Sequence, residues 1–348
     1  MFKNMIVYRI AEQWQGTLEQ VEEALARTPF IECGATQERS AGWVQPRGEG
    51  EGLFAESVGG QWILRFMSES KMLPASVLNR KVQEKADAIE RNSGRKPGKK
   101  EKQELKDEAK LDLLPMAFTK QGGMWIWIDS AARFLVLDTG SQTRADEVVT
   151  LLVDGLPGFA VALLDTQTAA QAAMAHWLSS QEPPVGFTID QECELKSADE
   201  AKSVVRYARH PLDIDEVKAH IEAGKLPTKL ALTWDDRVSL LLTEGLQVKK
   251  ITFLETVFDG QSKDDGGFDA DVAIATGELS KLLPDLIEAL GGEGRTALGE
   301  GLPAALQQPA PAEVLGVRMA AAKGNGKAMA VTGPKEAPED TDPDSAPF

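Results

Sequence analysis

Apolar and polar positions alternate in many short segments, a period that predicts β-strands with one buried face. Residues 4–10 show it first, because Met5 and Val7 point away from Ile6 and Tyr8. The same reasoning predicts strands at residues 43–44, 61–67, 124–128, 134–137, 159–164, 186–189, 192–195, 204–208, 229–234, 238–242, 246–253 and 270–274. Asp235-Asp236 and Glu244-Gly245 separate three of these runs, so an antiparallel meander is expected there.

Helical periodicity and helix boundary residues occur between these strands. Thr17 and Gln20 have capping-box spacing, which predicts a helix over residues 17–27. Further helices are predicted over residues 75–91, 99–114, 144–153, 215–223 and 278–290. Pro115 stops the second of these, Gly224 the fourth and Gly291-Gly292 the last. The mixture predicts an α+β fold with mostly antiparallel sheets.

The order of elements also indicates how the chain is divided. Residues 1–74 and 225–295 are predicted to form a central α/β region, with residues 75–180 as a lobe of helices and strands and residues 181–224 as a smaller lobe. Residues 296–348 are rich in Pro and Ala and almost lack aromatic side chains. Such a segment cannot bury enough apolar surface to fold, so a disordered acidic tail is expected.

The chain has 348 residues and a formal net charge of −16, which argues against a nucleic-acid partner if the charge is spread evenly. An acidic exterior can nevertheless surround a basic groove or bore, so the local distribution decides. No apolar run is long enough to span a membrane and no signal peptide precedes the first strand. Cys33 and Cys193 lie far apart outside any CxxC motif. A cytoplasmic protein is expected.

Motifs that carry catalysis are hard to find. His176, His210 and His220 have no metal-binding spacing, and no phosphate-binding glycine motif or nucleophile elbow occurs. No catalytic residue, metal or cofactor is therefore predicted. One alternative is a Mg²⁺-dependent nuclease, or another DNA-processing enzyme, that uses Asp213 with Asp215 or Asp269 with Asp271. The simpler interpretation places these acids at helix starts and in a solvated loop.

One segment contrasts with the acidic total. Residues 91–102 carry six cations and one acid, a local net charge of +5. The cations are Arg91, Arg95, Lys96, Lys99, Lys100 and Lys102. They connect two predicted helices, and such exposed side chains suit phosphate contacts. A solvated loop would carry the same charges without binding anything.

Two smaller features complete the candidates. Arg206, Arg209 and His210 surround Tyr207 at a strand end, where they could grip a nucleic-acid backbone; a polar strand edge is the alternative. Phe118 follows the helix stop in a polar stretch, so it is either a core side chain or part of a dimer interface.

Taken together, many segments resemble the RdgC family of recombination-associated proteins in collinear order over about residues 1–295. The matching stretches are residues 2–4, 7–9, 42–44, 105–108, 113–115, 117–118, 124–129, 220–225, 228–232, 268–271, 276–279 and 286–292. The resemblance implies a nucleoid-associated protein that binds single- and double-stranded DNA with little sequence preference. It also implies a ring-shaped homodimer with a positively lined hole that restrains RecA-driven recombination, without known enzymatic activity.

The C-terminal tail is outside that resemblance. Its last residues combine acids with a terminal aromatic, namely Asp342, Asp344, Pro347 and Phe348. This arrangement is similar to the tip of bacterial single-stranded DNA-binding proteins and predicts docking to a genome-maintenance partner. The alternatives are a solubilising tail or an acidic tip that competes with DNA for the basic bore.

Overall fold

A computed structural model describes residues 1–48, 50, 52–199, 202–258 and 267–294. In chain order the described residues form β1 (Ile6–Ile10), α1 (Leu18–Ala26), β2 (Arg39–Val44), β3 (Ala55–Val58), β4 (Gln61–Met72), α2 (Ala75–Ser93), α3 (Lys99–Leu113), β5 (Phe118–Asp129), β6 (Phe134–Leu137), α4 (Gln142–Gly155), β7 (Val161–Leu163), α5 (Ala170–Ser180), β8 (Phe187–Ser197), β9 (Val204–Ala208), α6 (Asp215–Glu222), β10 (Lys225–Trp234), β11 (Val238–Thr243), β12 (Val248–Phe253) and α7 (Phe268–Ala289). Short 3₁₀ turns lie at Leu114–Met116 and Glu255–Val257. The fold is α+β with antiparallel sheets, as the sequence predicts.

The first sheet has the strand order β2-β4-β5-β6-β1-β7, with β3 added beside β4. All of its pairs are antiparallel. Side chains alternate across it: Met124 and Ile126 point into a core beneath α1 and α4, whereas Trp127 points to the opposite face. Both faces of this sheet are therefore covered over much of its area.

The second sheet has the order β12-β11-β10-β8-β9 and is also antiparallel. Helices α5, α6 and α7 contribute to the core that it shares with the first sheet. Met5 joins the two sheets, because its N–H and C=O both bond to Val248, at 2.7 and 3.0 Å. The second sheet and α7 are thus fixed to the start of the chain.

Residues 67–123, here called the arm, contribute nothing to either of these two cores. Strands β4 and β5 stay paired from Met67 opposite Gly123 to Met72 opposite Phe118. They lead into α2 and α3, which pack on each other through side chains such as Leu78 and Leu105. Because α2 has 19 residues, the helical part is about 28 Å long.

Most predicted elements are confirmed. The Thr17 hydroxyl accepts from the Gln20 N–H and the Gln20 side chain accepts from the Thr17 N–H, at 3.3 and 3.0 Å. Helices α2 and α3 and the β10–β11–β12 meander lie where the sequence places them. Asp235 and Asp236 have φ near +50°, as a tight hairpin turn requires.

The predicted strand at residues 270–274 is wrong, because this segment is the first part of α7. Val272, Ala275 and Leu279 are all buried, and their spacings of three and four residues place them on one helix face. The short run containing Val272 and Ile274 looks strand-like only when it is read without the residues that follow. Residues 270–274 are helical because the buried face of α7 packs against the shared core.

The structure also differs from the prediction in the length of one strand and in two elements that the sequence did not predict. The segments 186–189 and 192–195 form one strand, β8, which pairs with β10 through register shifts rather than ending at Asp190. Helix α5 and strand β3 were not predicted. None of the helices within the described ranges combines the length and the apolar character that a membrane span needs.

Candidate nucleic-acid interface

The predicted basic segment lies at the tip of the arm, between α2 and α3. Helix α2 ends at Gly94, whose φ of +70° suits a residue without a side chain. All six predicted cations are exposed. Four of them have no acidic partner within the described residues: Arg91, Lys99, Lys100 and Lys102. The tip therefore presents unneutralised positive charge to solvent.

Two of the six cations are paired. Arg95 contacts Glu101 at 2.8 Å in a two-pronged bond, and Lys96 is 3.9 Å from Glu90. The Glu101 carboxylate raises the pKa of Arg95 above its usual value. Both pairs are solvent-exposed, so they are weak and a phosphate can compete with them.

In the second predicted contact, on β9, a carboxylate neutralises the charge of Arg206. Arg206 Nε lies 2.5 Å from Glu194, which also contacts Lys229 at 3.1 Å and accepts from the Thr228 hydroxyl. The Arg206 guanidinium first, and then the Thr228 hydroxyl, lowers the pKa of Glu194 to about 2. Arg206 is thus a partner of a carboxylate rather than a free cation.

The other residues of this second site differ in how accessible they are to solvent. Arg209 is exposed with a φ of +57°, and His210 Nδ1 lies 2.8 Å from the Pro211 carbonyl. Tyr207 is buried and its ring lies 5.8 Å from that of His210. Tyr207 is therefore unavailable for stacking on a base, whereas Arg209 is accessible.

Phe118 is exposed over 84% of its surface and is not a core residue. Met72, directly opposite it across the β4–β5 ribbon, is 52% exposed, and Met116 is 73% exposed. We call Met72, Met116 and Phe118 the arm patch. Three adjacent apolar side chains in water favour a protein contact over isolated exposure, and the interface itself stays a prediction.

The acid pairs of the nuclease alternative lie at helix starts. Asp215 is in the first turn of α6, and Asp269 and Asp271 are in the first turn of α7. Asp269 is engaged by Arg47 at 2.7 Å. Across the described ranges, no three His, Cys, Asp or Glu side chains converge as metal ligands would. Both cysteines are free.

One cluster was missed by the sequence reasoning. Arg65 on β4 lies over the ring of Trp125 on β5, 4.7 Å from its centroid. The Trp125 ring is 6.1 Å from that of Phe268, over which Arg47 lies at 4.7 Å. This stack forms because the β4–β5 register and the packing of α7 bring distant residues together. A local sequence pattern therefore could not predict it. The tail residues Asp342, Asp344, Pro347 and Phe348 are outside the described part of the chain.

Comparison with known proteins agrees with the resemblance. Residues 1–293 match a family model described as "RdgC: Putative exonuclease, RdgC". The chain is 44% identical to the recombination-associated protein RdgC of Dechloromonas aromatica over 299 residues, covering 84% of this chain and 98% of that protein. It is 41% identical to that of Herminiimonas arsenicoxydans and 42% to that of Cupriavidus necator, with the same coverage.

Proposed function

Because the chain belongs to the RdgC family, we propose that it is a sequence-nonspecific DNA-binding protein that restrains RecA-dependent recombination. It binds single- and double-stranded DNA as a homodimeric ring and works on the nucleoid in the cytoplasm. It performs no catalysis in this proposal. A role in recombination follows from the family; the binding mode and the action on RecA are our inference.

The observation that carries this proposal is the charge at the arm tip. The protein has a net charge of −16, yet Arg91, Lys99, Lys100 and Lys102 are exposed there without acidic partners in the described structure. Cations on a protruding helical hairpin can reach phosphates while the acidic surface stays away from the DNA. Phosphate contacts alone give affinity without sequence preference.

The arm patch supports the dimer. Phe118, Met116 and Met72 are apolar and exposed on the same protruding element that carries the basic tip. A second copy that covers this patch would bring two arms together, and a second contact elsewhere would close a ring. An isologous contact of this kind is the commonest way for a chain to dimerise.

The direct test is the salt dependence of DNA binding, measured by fluorescence anisotropy with a labelled duplex and a labelled single strand. If all six arm-tip cations contact phosphates, the log–log slope is expected to approach roughly −5 per subunit. Replacing Arg91, Arg95, Lys96, Lys99, Lys100 and Lys102 by Ala should flatten the slope and weaken binding to every sequence alike. Arg27→Ala, at an exposed cation directly after α1, is the control. An unchanged slope in the six-fold variant contradicts the assignment.

The nuclease alternative is tested on the same protein, since the family model's description names an exonuclease. Supercoiled and linear DNA are incubated with the protein and Mg²⁺. Shifted but intact DNA supports a binding protein. Degradation that disappears in Asp269→Ala or Asp213→Ala supports the nuclease, with Arg47→Ala as the control for losing the Asp269 ion pair alone.

A further inference from the structure

Arg65 and Arg47 lie at the two ends of the aromatic stack but differ in their partners. Arg47 is bound to Glu56 at 3.1 Å and to Asp269 at 2.7 Å. Within the described residues, the Arg65 side chain makes no ion pair and no hydrogen bond; it contacts the face of Trp125 at 4.7 Å. A guanidinium has five N–H donors, and stacking on an indole leaves them pointing outward.

The surroundings of Arg65 are open. It is only partly buried, and Gly123 beside it on β5 is exposed. A Cβ at Gly123 would lie 3.7 Å from Arg65 Nε, so the missing side chain leaves one flank of the guanidinium uncovered. The two carboxylates at the other end of the stack, Glu56 and Asp269, are engaged by Arg47. An anion can therefore approach Arg65 without displacing an internal partner.

A second unpaired cation lies over another glycine next to β5. The Asp138 N–H donates to the Trp125 carbonyl at 2.9 Å, so the segment leading to Gly140 runs alongside the stack. Lys249 crosses Gly140, and its Cε is 3.2 Å from where a Cβ would be. The Lys249 side chain also has no ion pair or hydrogen bond in the described structure. Asp138 itself accepts the N–H groups of Lys3 and Asn4 at 2.9 Å.

We propose that Arg65, with Lys249 over Gly140 as an accessory cation, forms a second DNA-backbone site at the root of the arm, where Arg65 donates to a phosphodiester. Trp125 holds the guanidinium plane in place, and Gly123 keeps the approach open. Preorganised arginines bind phosphate oxygens with two parallel hydrogen bonds and less entropic cost than a mobile lysine. The inference rests on the proposed DNA-binding function and adds a site to it.

The location fits a contact with the same DNA that the arm tip touches. Arg65 pairs with Trp125 two positions before the arm begins at Met67 and Gly123. The ribbon from Met67 to Met72 and helix α2, which is about 28 Å long, both lie between the root and the tip. A DNA backbone carries a phosphate every few ångströms, so the two sites contact different phosphates. This separation makes their contributions to the salt slope independent.

The test uses Arg65→Gln and a charge inserted next to an unchanged Arg65. In Gly123→Asp a carboxylate occupies the open flank, where it can pair with Arg65; Gly123→Asn is its neutral, equally sized control. Gly123 does not have positive φ and a Cβ there meets ordinary contacts, so both residues are tolerated. Arg27→Gln, directly after the helix α1 that covers the other face of the sheet, is the control for losing one arginine.

Binding of labelled duplex DNA is measured by anisotropy across a salt series. We expect Arg65→Gln and Gly123→Asp to weaken binding about tenfold at low salt. Their log–log slopes should be shallower by about 0.9 for each lost phosphate contact. Gly123→Asn and Arg27→Gln should bind like the unmodified protein.

The outcomes separate the two proposals. If the unmodified protein binds no DNA, the proposed function is wrong. If it binds DNA but Arg65→Gln and Gly123→Asp keep its affinity and slope, only the root site is overturned. Weaker binding with an unchanged slope also overturns it, because loss of a phosphate contact must change the slope. Should Arg65→Gln fail to fold, the comparison of Gly123→Asp with Gly123→Asn still decides.

Discussion

Glu194 shows how one side chain changes the interpretation of its neighbours. Its carboxylate binds the Arg206 guanidinium, the Lys229 ammonium and the Thr228 hydroxyl. These groups come from β9 and β10, which lie on the two sides of β8. An arginine beside an aromatic residue looks like a nucleic-acid contact in the sequence. In the fold, the Arg206 guanidinium pairs with Glu194 and so helps to hold β8, β9 and β10 together. The DNA contribution predicted for this region therefore depends on Arg209 more than on Arg206.

The Glu194 carboxylate predicts a specific pH dependence of stability. Its pKa is about 2 in the folded protein, below the usual 4.5, so its contribution is complete above about pH 4.5 and is lost as the pH falls toward 2. Glu194→Gln should lower the free energy of unfolding at pH 7 by about 1–3 kcal/mol. The difference from the unmodified protein should shrink at pH 3. Denaturant unfolding at both pH values measures it.

A matched control for this prediction is Glu192→Gln on the same strand. Glu192 is partly exposed and contacts only Lys250, at 2.6 Å, among the described residues. Such an exposed pair contributes little. If Glu192→Gln costs as much as Glu194→Gln, or if the Glu194→Gln difference persists unchanged at pH 3, the electrostatic explanation is incorrect.

At the scale of elements, the arm is built from strands that continue past the core. β4 and β5 run 12 residues each, and only their proximal halves have a buried face in the two cores. Met72 and Phe118 of the arm patch lie at the distal ends of these strands, and the basic tip lies where α2 and α3 meet. The proposed contacts are thus carried by residues that contribute nothing to the two cores.

This separation predicts the behaviour of Phe118→Ala. Because 84% of the Phe118 surface is exposed, its removal leaves no cavity and the melting temperature should change little. If Phe118 lies in the dimer contact, truncation should shift sedimentation from dimer toward monomer. Phe258→Ala, at a 45% exposed phenylalanine outside the arm, should leave the dimer intact. A severe loss of stability with dimerisation kept would contradict this prediction.

At the scale of the whole molecule, the charge is distributed unevenly. Arg65 and the cations of the arm tip are among those without an acidic partner in the described structure, whereas other cations, such as Arg39 and Lys85, are paired with acids. Weak contacts of this kind can hold DNA firmly if the protein closes around it, because release then requires the ring to open. Enclosure of the DNA would then provide the retention that the few phosphate contacts alone do not.

A ring predicts different retention on closed and linear DNA. Protein bound to closed circular plasmid should remain bound after transfer to high salt, where individual phosphate contacts are screened. Cutting the plasmid once should release it, because the ring can then slide off an end. Pull-down of immobilised plasmid before and after a single restriction cut measures this. Equal loss from circular and linear DNA would exclude a closed ring.

The sequence alone determined the elements whose signals are local. The capping box at Thr17 and Gln20, the helices of the arm and the β10–β11–β12 meander depend on residues a few positions apart, and all are present. The exposed basic tip between α2 and α3 follows from the same local reasoning. Similarity over residues 1–293 then adds the family.

Features that depend on residues far apart in the chain come from the tertiary structure. Residues 270–274 became helix because their buried face packs on the shared core, and β8 stayed one strand because β10 pairs along it. Glu194 neutralises Arg206 from 12 residues away, whereas Trp125 reaches Arg65 from 60 residues away and leaves its charge unpaired. Whether a cation is free to bind DNA depends on which carboxylates the fold brings to it. Strand register and helix docking fix that, and neither is encoded within a short window of the chain.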